Sequence, residues 1–205
     1  MRESGAKTYS EYQNIFMNKV IDYLEDKGRH AIVWNEAAKG KNLDKRAIVQ
    51  YWKEDPKPTV RFLNEGGRAI LSPFSYYYLD YDYSITPLNR VYSLKASLPG
   101  LTVAGKKNFI GLESPIWTEY IDNNQRLEEL LFPRIIAVSQ IALGKMSLPY
   151  SLFLSYVKAM REELKGIAFA PEKEWTKTRL SMPVGWLRFA KDHYTLDFIK
   201  EQLLK

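Results

Sequence analysis

Between residues 12 and 24, apolar side chains recur at steps of three and four: Tyr12, Ile15, Phe16, Val20, Tyr23 and Leu24, with Lys27-Gly28 closing the pattern. That is the period of one face of a helix, so the stretch predicts an amphipathic helix with these side chains turned toward a core and a glycine stop. The period then changes. HAIVWNE, bounded by Gly28 and Glu36, is a short continuous apolar burst of the kind used by a strand buried in a parallel sheet. RAIVQYW, RAILSP and NFIGLESPIW repeat the burst, and PTVRFLNEGG, between the second and third, reads as a short helix closed by glycines. Strands are therefore expected at about 30–34, 47–52, 68–72 and 108–112.

Helical stretches alternating with such bursts predict an α/β fold with a parallel sheet, because parallel neighbours require crossover connections. After the fourth burst, Leu127, Leu130, Leu131, Ile135, Val138 and Ile141 predict helix, with Pro133 either starting its main segment or kinking it. Further helices are expected at about 149–165 and 183–204. The most loop-like stretch is 84–107, and 166–185 is the best candidate for a boundary in the C-terminal helical part.

Composition narrows the function classes. The 205 residues, 45% apolar and 14% aromatic, suffice for one domain with a substantial core. No run of about 18 uncharged apolar residues occurs and MRESGAKTYSEYQ has no apolar h-region, so neither a membrane span nor a signal peptide is read; localisation stays open. The absence of cysteine excludes disulfides, a thiolate nucleophile and a thiolate metal site. A net charge of +6 is spread among 24 acids without a basic run, which fits a solvated surface and argues against a nucleic-acid partner. Neither His30 nor His193 has metal-ligand or triad spacing, so no metal and no cofactor is expected.

The chemistry gathers at the ends of the bursts. Trp34 and Glu36, Trp52, and Trp117 and Glu119 lie at or just beyond the C-terminal ends of the first, second and fourth, and SPFSYYYLDYDY follows the third. In barrels and open α/β sheets alike, ligands bind at that edge. A tryptophan is usually core; rings at strand ends would instead form an apolar box suited to a sugar, whose C–H faces stack on aromatics while carboxylates and tyrosines take its hydroxyls. Glu36, Asp80 and Glu119, with Glu113 nearby, are the carboxylates there. Paired carboxylates can hydrolyse a glycoside, yet spacing assigns no catalytic pair, and each reads as a hydrogen-bonding or structural acid.

GLESPIWTEYIDNNQRLEELLFPRIIAVSQIAL resembles the last strand and following helix of family-20 glycoside hydrolases, the β-N-acetylhexosaminidases: a Gly, a short linker, Trp-Thr-Glu, then a helix carrying Phe-Pro-Arg. DYLEDKGRHAIVWNEAAKG, AIVQYWK and AILSPFSYYYLDY resemble three earlier segments of the same barrel in the same order, covering about residues 9–143. The resemblance implies that Trp34, Trp52 and Trp117 line the pocket for the acetamido group, that Tyr78 hydrogen-bonds the acetamido carbonyl and assists catalysis, and that Asp80 and Glu119 hold sugar hydroxyls. It implies substrate assistance, in which the acetamido oxygen attacks the anomeric carbon while an Asp orients it and a Glu protonates the leaving oxygen.

That Asp-Glu pair belongs to a His-x-Gly-Gly-Asp-Glu type motif, which this sequence lacks, as it lacks the arginine of the first barrel strand. Asn35 stands where an Asp is common, and LESPI where a Gln-Ala-Asn type stretch is frequent, which leaves Glu113 without a role.

A complete barrel takes on the order of 250 residues. The expectation is thus the C-terminal half of the barrel, about strands five to eight, over 1–146, with a helical extension over 147–205. Three readings follow: the sugar-pocket part of a β-N-acetylhexosaminidase acting on N-acetylhexosamine glycans, inactive alone and completed by the N-terminal half-barrel; a non-catalytic carbohydrate-binding or self-associating half-barrel; and an α/β domain whose tryptophans are core.

Overall fold

The computed structural model describes residues 4–53, 55–94, 97–119, 121–144, 148–175 and 187. They form two compact units, one built from 1–74 with 95–113 and the other from 75–94 with 114–205. The helix expected at 183–204, like His193, lies outside the described residues apart from position 187.

The first unit carries the sheet. Helix α1 (Tyr9–Asp26) starts where the Thr8 hydroxyl accepts the Glu11 N–H (3.1 Å), satisfying a donor that the first turn leaves unpaired, and the Glu11 carboxylate accepts the N–H of Lys7 (2.8 Å), the residue before the cap. It ends at Gly28, whose φ of 66° is open to a residue without Cβ; the N–H groups of Gly28 and Arg29 cap the carbonyls of Glu25 and Leu24. Strands β1 (Ile32–Trp34), β2 (Ile48–Tyr51), β3 (Arg68–Leu71) and β4 (Phe109–Leu112) follow, all four within the expected stretches. They pair in parallel in the order β1-β2-β3-β4, with Trp34 opposite Gln50 and Tyr51 opposite Leu71. Between β3 and β4 the register slips by one residue at Ala69/Ile70.

The crossover from β1 to β2 opens with a 3₁₀ turn (Asn35–Lys39), and that from β2 to β3 carries α2 (Lys57–Asn64). One face of the sheet is dry: Val33, Val49 and Ala69 pack with Ile21 of α1 and Phe62 and Leu63 of α2, and Met17 and Leu24 close over them. Along β1 the alternation is complete, with Val33 buried and Ile32 and Trp34 exposed on the other side.

Here α1 departs from expectation. The face in the core is Asn14, Met17, Ile21 and Leu24, whereas Tyr12, Phe16 and Tyr23 are 50%, 66% and 63% exposed. Asn14 and Asn18 settle the rotation, donating to the carbonyls of Ala37 (2.9 Å) and Asn42 (2.8 Å), so the helix is keyed to the β1–β2 crossover by amides rather than by its aromatics. The stretch 84–107 is also more regular than a loop, containing α4 (Leu88–Ser93) in the second unit and α5 (Val103–Lys107), capped by Thr102, in the first.

The single turn α3 (Phe74–Tyr77) begins on the last residue of the first unit's leading stretch. In the second unit, α6 (Asn124–Leu131) ends before Phe132 and α7 (Arg134–Ala142) starts after Pro133, joined by a cis Phe132–Pro133 peptide; Pro133 is the N-cap of the second segment and does not kink one helix. Helix α8 (Tyr150–Glu163) turns Phe153 and Val157 inward, with Phe153 stacked on Tyr92 of α4 at 4.0 Å. Trp175, at the end of the one-turn α9 (Glu172–Trp175), is almost wholly buried and donates to the Ala170 carbonyl (2.9 Å). No described helix is long and apolar enough to cross a membrane.

Candidate functional site

Two clusters, one in each unit, contain the residues picked out in the sequence. In the first unit the chain leaves β1 at Trp34, whose ring is 41% exposed, and turns at Asn35, which is 3% exposed. The Asn35 amide faces the residues after β2: its Oδ1 accepts the Trp52 N–H and its Nδ2 donates to the Lys53 carbonyl, both at 3.0 Å. One side chain thus ties the C-terminal ends of adjacent strands. Glu36, one residue on, takes the Trp52 indole N–H with both carboxylate oxygens (3.0 and 3.2 Å), which sets the plane of that ring. Trp52 in turn meets Trp34 edge-on at 5.9 Å and Phe74 at 6.4 Å, and Lys53 Nζ lies 3.9 Å over it. The result is an aromatic surface in which the Trp52 ring is held by Glu36 and the Trp34 ring stands edge-on to it.

In the second unit Tyr78 is buried between Tyr81, stacked at 6.5 Å, and Trp117, tilted at 6.4 Å. The Leu79 N–H donates to the Pro115 carbonyl (3.0 Å), pinning the Tyr78–Asp80 segment to the one that carries Trp117. Trp117 remains 48% exposed and Glu119 is exposed, while Asp80 is only 5% exposed. Burial pushes the Asp80 carboxyl up to about 6 from 3.8. Its own N–H, the Arg134 charge and the Trp117 N–H pull it back, and Glu119 pushes it further up. Its Oδ1 has no hydrogen-bond partner. A buried carboxylate with an open acceptor, beside a half-exposed indole, can take a further hydrogen-bond donor.

Of the remaining candidates, Glu113 is exposed just past β4, its N–H donating to the Leu71 carbonyl (3.0 Å), and His30 is an exposed residue 2.8 Å from Glu25. Sequence reasoning noticed Asn35 only as a departure, and Arg134 only as the arginine of the Phe-Pro-Arg run with no role given to it, although it is the most deeply buried charge among the described residues. A polar residue immediately after an apolar burst was the available signal for the first. For the second it was the Phe-Pro-Arg run itself, which sets an arginine among Ile135, Ile136 and Val138.

The model of glycosyl hydrolase family 20, catalytic domain, matches residues 1–144. The chain belongs to glycosyl hydrolase family 20. Among its relatives, a β-N-acetylhexosaminidase of Cellulomonas fimi is 30% identical over an alignment of 134 positions that covers 58% of this chain and 26% of that protein. The β-hexosaminidase subunit beta of Homo sapiens is 31% identical over 144 residues, 68% of this chain and 25% of that protein. The family-20 exo-β-N-acetylglucosaminidase from Vibrio harveyi, solved in complex with N-acetylglucosamine, superposes with a TM-score of 0.70 at 23% identity, over 86% of this chain and 30% of that one, a likeness of fold. This family-20 chain therefore spans about a quarter of the length of the curated relatives it matches.

Proposed function

We propose that this chain is the sugar-pocket part of a β-N-acetylhexosaminidase, corresponding to about strands five to eight of the family-20 barrel over 1–146 and followed by a helical extension over 147–205. The observation that carries the reading is Asp80, a nearly dry carboxylate with an unpartnered oxygen, set beside Tyr78 and Trp117. In this reading Asp80 and Glu119 take hydroxyls of a terminal N-acetylhexosamine, Tyr78 donates to its acetamido carbonyl, and Trp34, Trp52 and Trp117 supply ring faces. The family-20 reaction needs an acid to protonate the leaving oxygen and an aspartate to orient the acetamido nucleophile. No motif of this chain provides that pair, so the chain binds and aligns while the proton transfer belongs to the rest of the barrel. Family membership and the names of the relatives support the substrate class.

A second reading, a self-associating half-barrel without catalysis, is favoured by one feature of the first unit: Tyr9, Tyr12, Phe16 and Tyr23 expose an aromatic stripe on α1, and Ile32 of β1 is 54% exposed. One titration and one sizing run separate the two. On the first reading N-acetylglucosamine quenches or shifts tryptophan emission of the chain while glucose does not, and Trp117→Ala abolishes the response. On the second the chain elutes as a dimer or larger. A monomer that answers neither sugar would end both.

A further inference from the structure

We propose that Arg134 is a positioning residue for Asp80, its buried guanidinium holding the main chain on both sides of that carboxylate so that the 79–86 loop presents it to a ligand. The inference rests on the reading of Asp80 as a sugar ligand and extends it to a side chain that touches no substrate.

Arg134 is the first residue of α7 and is fully buried. Its donors go to carbonyls alone. Nη2 reaches the Leu79 carbonyl (2.5 Å) and the Leu130 carbonyl (2.6 Å), Nε also reaches Leu130 (2.9 Å), and Nη1 reaches the carbonyls of Tyr81 (2.8 Å) and Thr86 (3.0 Å). Leu79 and Tyr81 are the residues immediately before and after Asp80. The Tyr83 ring lies 4.2 Å from the guanidinium, and the Tyr83 hydroxyl donates to the carbonyls of Glu129 (3.2 Å) and Phe132 (2.9 Å), fastening the same loop to the α6–α7 junction.

Burying a cation that hydrogen-bonds no carboxylate is expensive. What the guanidinium provides is a planar fork of five N–H groups that reaches four carbonyls from separate stretches of chain at once. A lysine ammonium offers three donors from one point and cannot span them. The charge also favours the ionised form of Asp80 across a dry interior, in opposition to burial and to Glu119. The same side chain therefore fixes where Asp80 stands and eases its ionisation against the larger effect of burial.

The test follows the Asp80 carboxyl itself, by carbon-13 NMR of aspartate-labelled full chain between pH 4 and pH 8, with the resonance assigned from Asp80→Asn. In Arg134→Lys the charge remains but the clamp is lost. The loop opens to water, the Asp80 midpoint falls toward the ordinary carboxylate range, and N-acetylglucosamine affinity drops about tenfold, the worth of one charge-assisted hydrogen bond. Phe153→Leu is the control: it damages the core of the same unit at the Tyr92 stack without removing a hydrogen bond of the clamp, and leaves both readouts at their wild-type values while lowering stability. Tyr83→Phe, which deletes only the two hydroxyl ties, gives a smaller fall in the midpoint and keeps the question open to measurement should Arg134→Lys not fold. An unchanged midpoint in Arg134→Lys, or in Tyr83→Phe where that variant has to serve, overturns the proposal, as does an equal shift in Phe153→Leu. A wild-type chain that ignores N-acetylglucosamine, with the midpoint still moving in Arg134→Lys, keeps the positioning role and removes the sugar reading instead.

Discussion

Replacing Asp80 by asparagine tests whether this carboxylate is held at the expense of stability. The folded chain raises the Asp80 carboxyl from 3.8 to about 6, chiefly by burial. A carboxyl raised on folding binds its proton more tightly in the folded state. Its contribution to stability is complete below about pH 4, declines as the pH rises toward 6, and is gone above that. Each pH unit of displacement corresponds to about 1.4 kcal/mol, so the full swing is about 3 kcal/mol, and solvent screening at an edge that also holds the exposed Glu119 reduces it to about 1.5 kcal/mol. Asparagine keeps the shape and cannot ionise. Urea unfolding of both chains, followed by tryptophan fluorescence at pH 4, 6 and 8, should show the variant gaining on the wild type by about 1.5–3 kcal/mol between pH 4 and pH 8. A difference that stays flat across that range, or one that favours aspartate at pH 8, would refute the claim that the site is strained electrostatically. A gain would mean that the native residue is kept for something other than folding.

Asn35→Asp replaces the amide donor to the Lys53 carbonyl with an oxygen, so it is expected to destabilise by about 1–3 kcal/mol at pH 8 and to loosen Trp52; the loss should fade on acidification, when a protonated carboxyl can donate again, and is read from unfolding curves at the two pH values. Thr8→Ala removes the hydroxyl that caps α1 and should lower stability by about 1 kcal/mol, with Thr8→Ser restoring most of it, while sugar titrations stay unchanged.

Strand positions were legible because four continuous apolar bursts, each ended by a polar residue or proline, leave little freedom in where a parallel strand can lie. The rotation of α1 was not. Its sequence holds two stripes at helical spacing, Tyr12/Phe16/Tyr23 and Met17/Ile21/Leu24, and periodicity favours the heavier aromatic one without knowing which stripe meets the sheet. Asn14 and Asn18 decided the matter, and their partners are crossover carbonyls that carry no residue signature. Helices α4 and α5, of six and five residues, are too short to show a period at all. At the candidate site, aromatic and acidic residues at strand ends could be seen in advance. That Glu36 would fix the Trp52 indole depended on the β1–β2 register, which places Trp34 opposite Gln50. Arg134 stayed hidden for the reason that hid Asn14: it answers to main-chain oxygens, which every residue has.

The three strand pairings differ in how far along the chain each must reach. Ile32 meets Ile48 and Ile48 meets Arg68 after short connections, but Ala69 meets Phe109 only after the chain has passed through the Tyr78–Asp80 segment and α4. Closing that longer excursion costs only about 0.8 kcal/mol more than closing the first, because loop entropy grows with the logarithm of length. Loop-closure entropy therefore sets almost no limit on the size of this detour. What holds the third crossover to its present course is thus the packing and hydrogen bonding of its own residues, Tyr83, Leu88 and Val91 among them, rather than the pairing of the four strands.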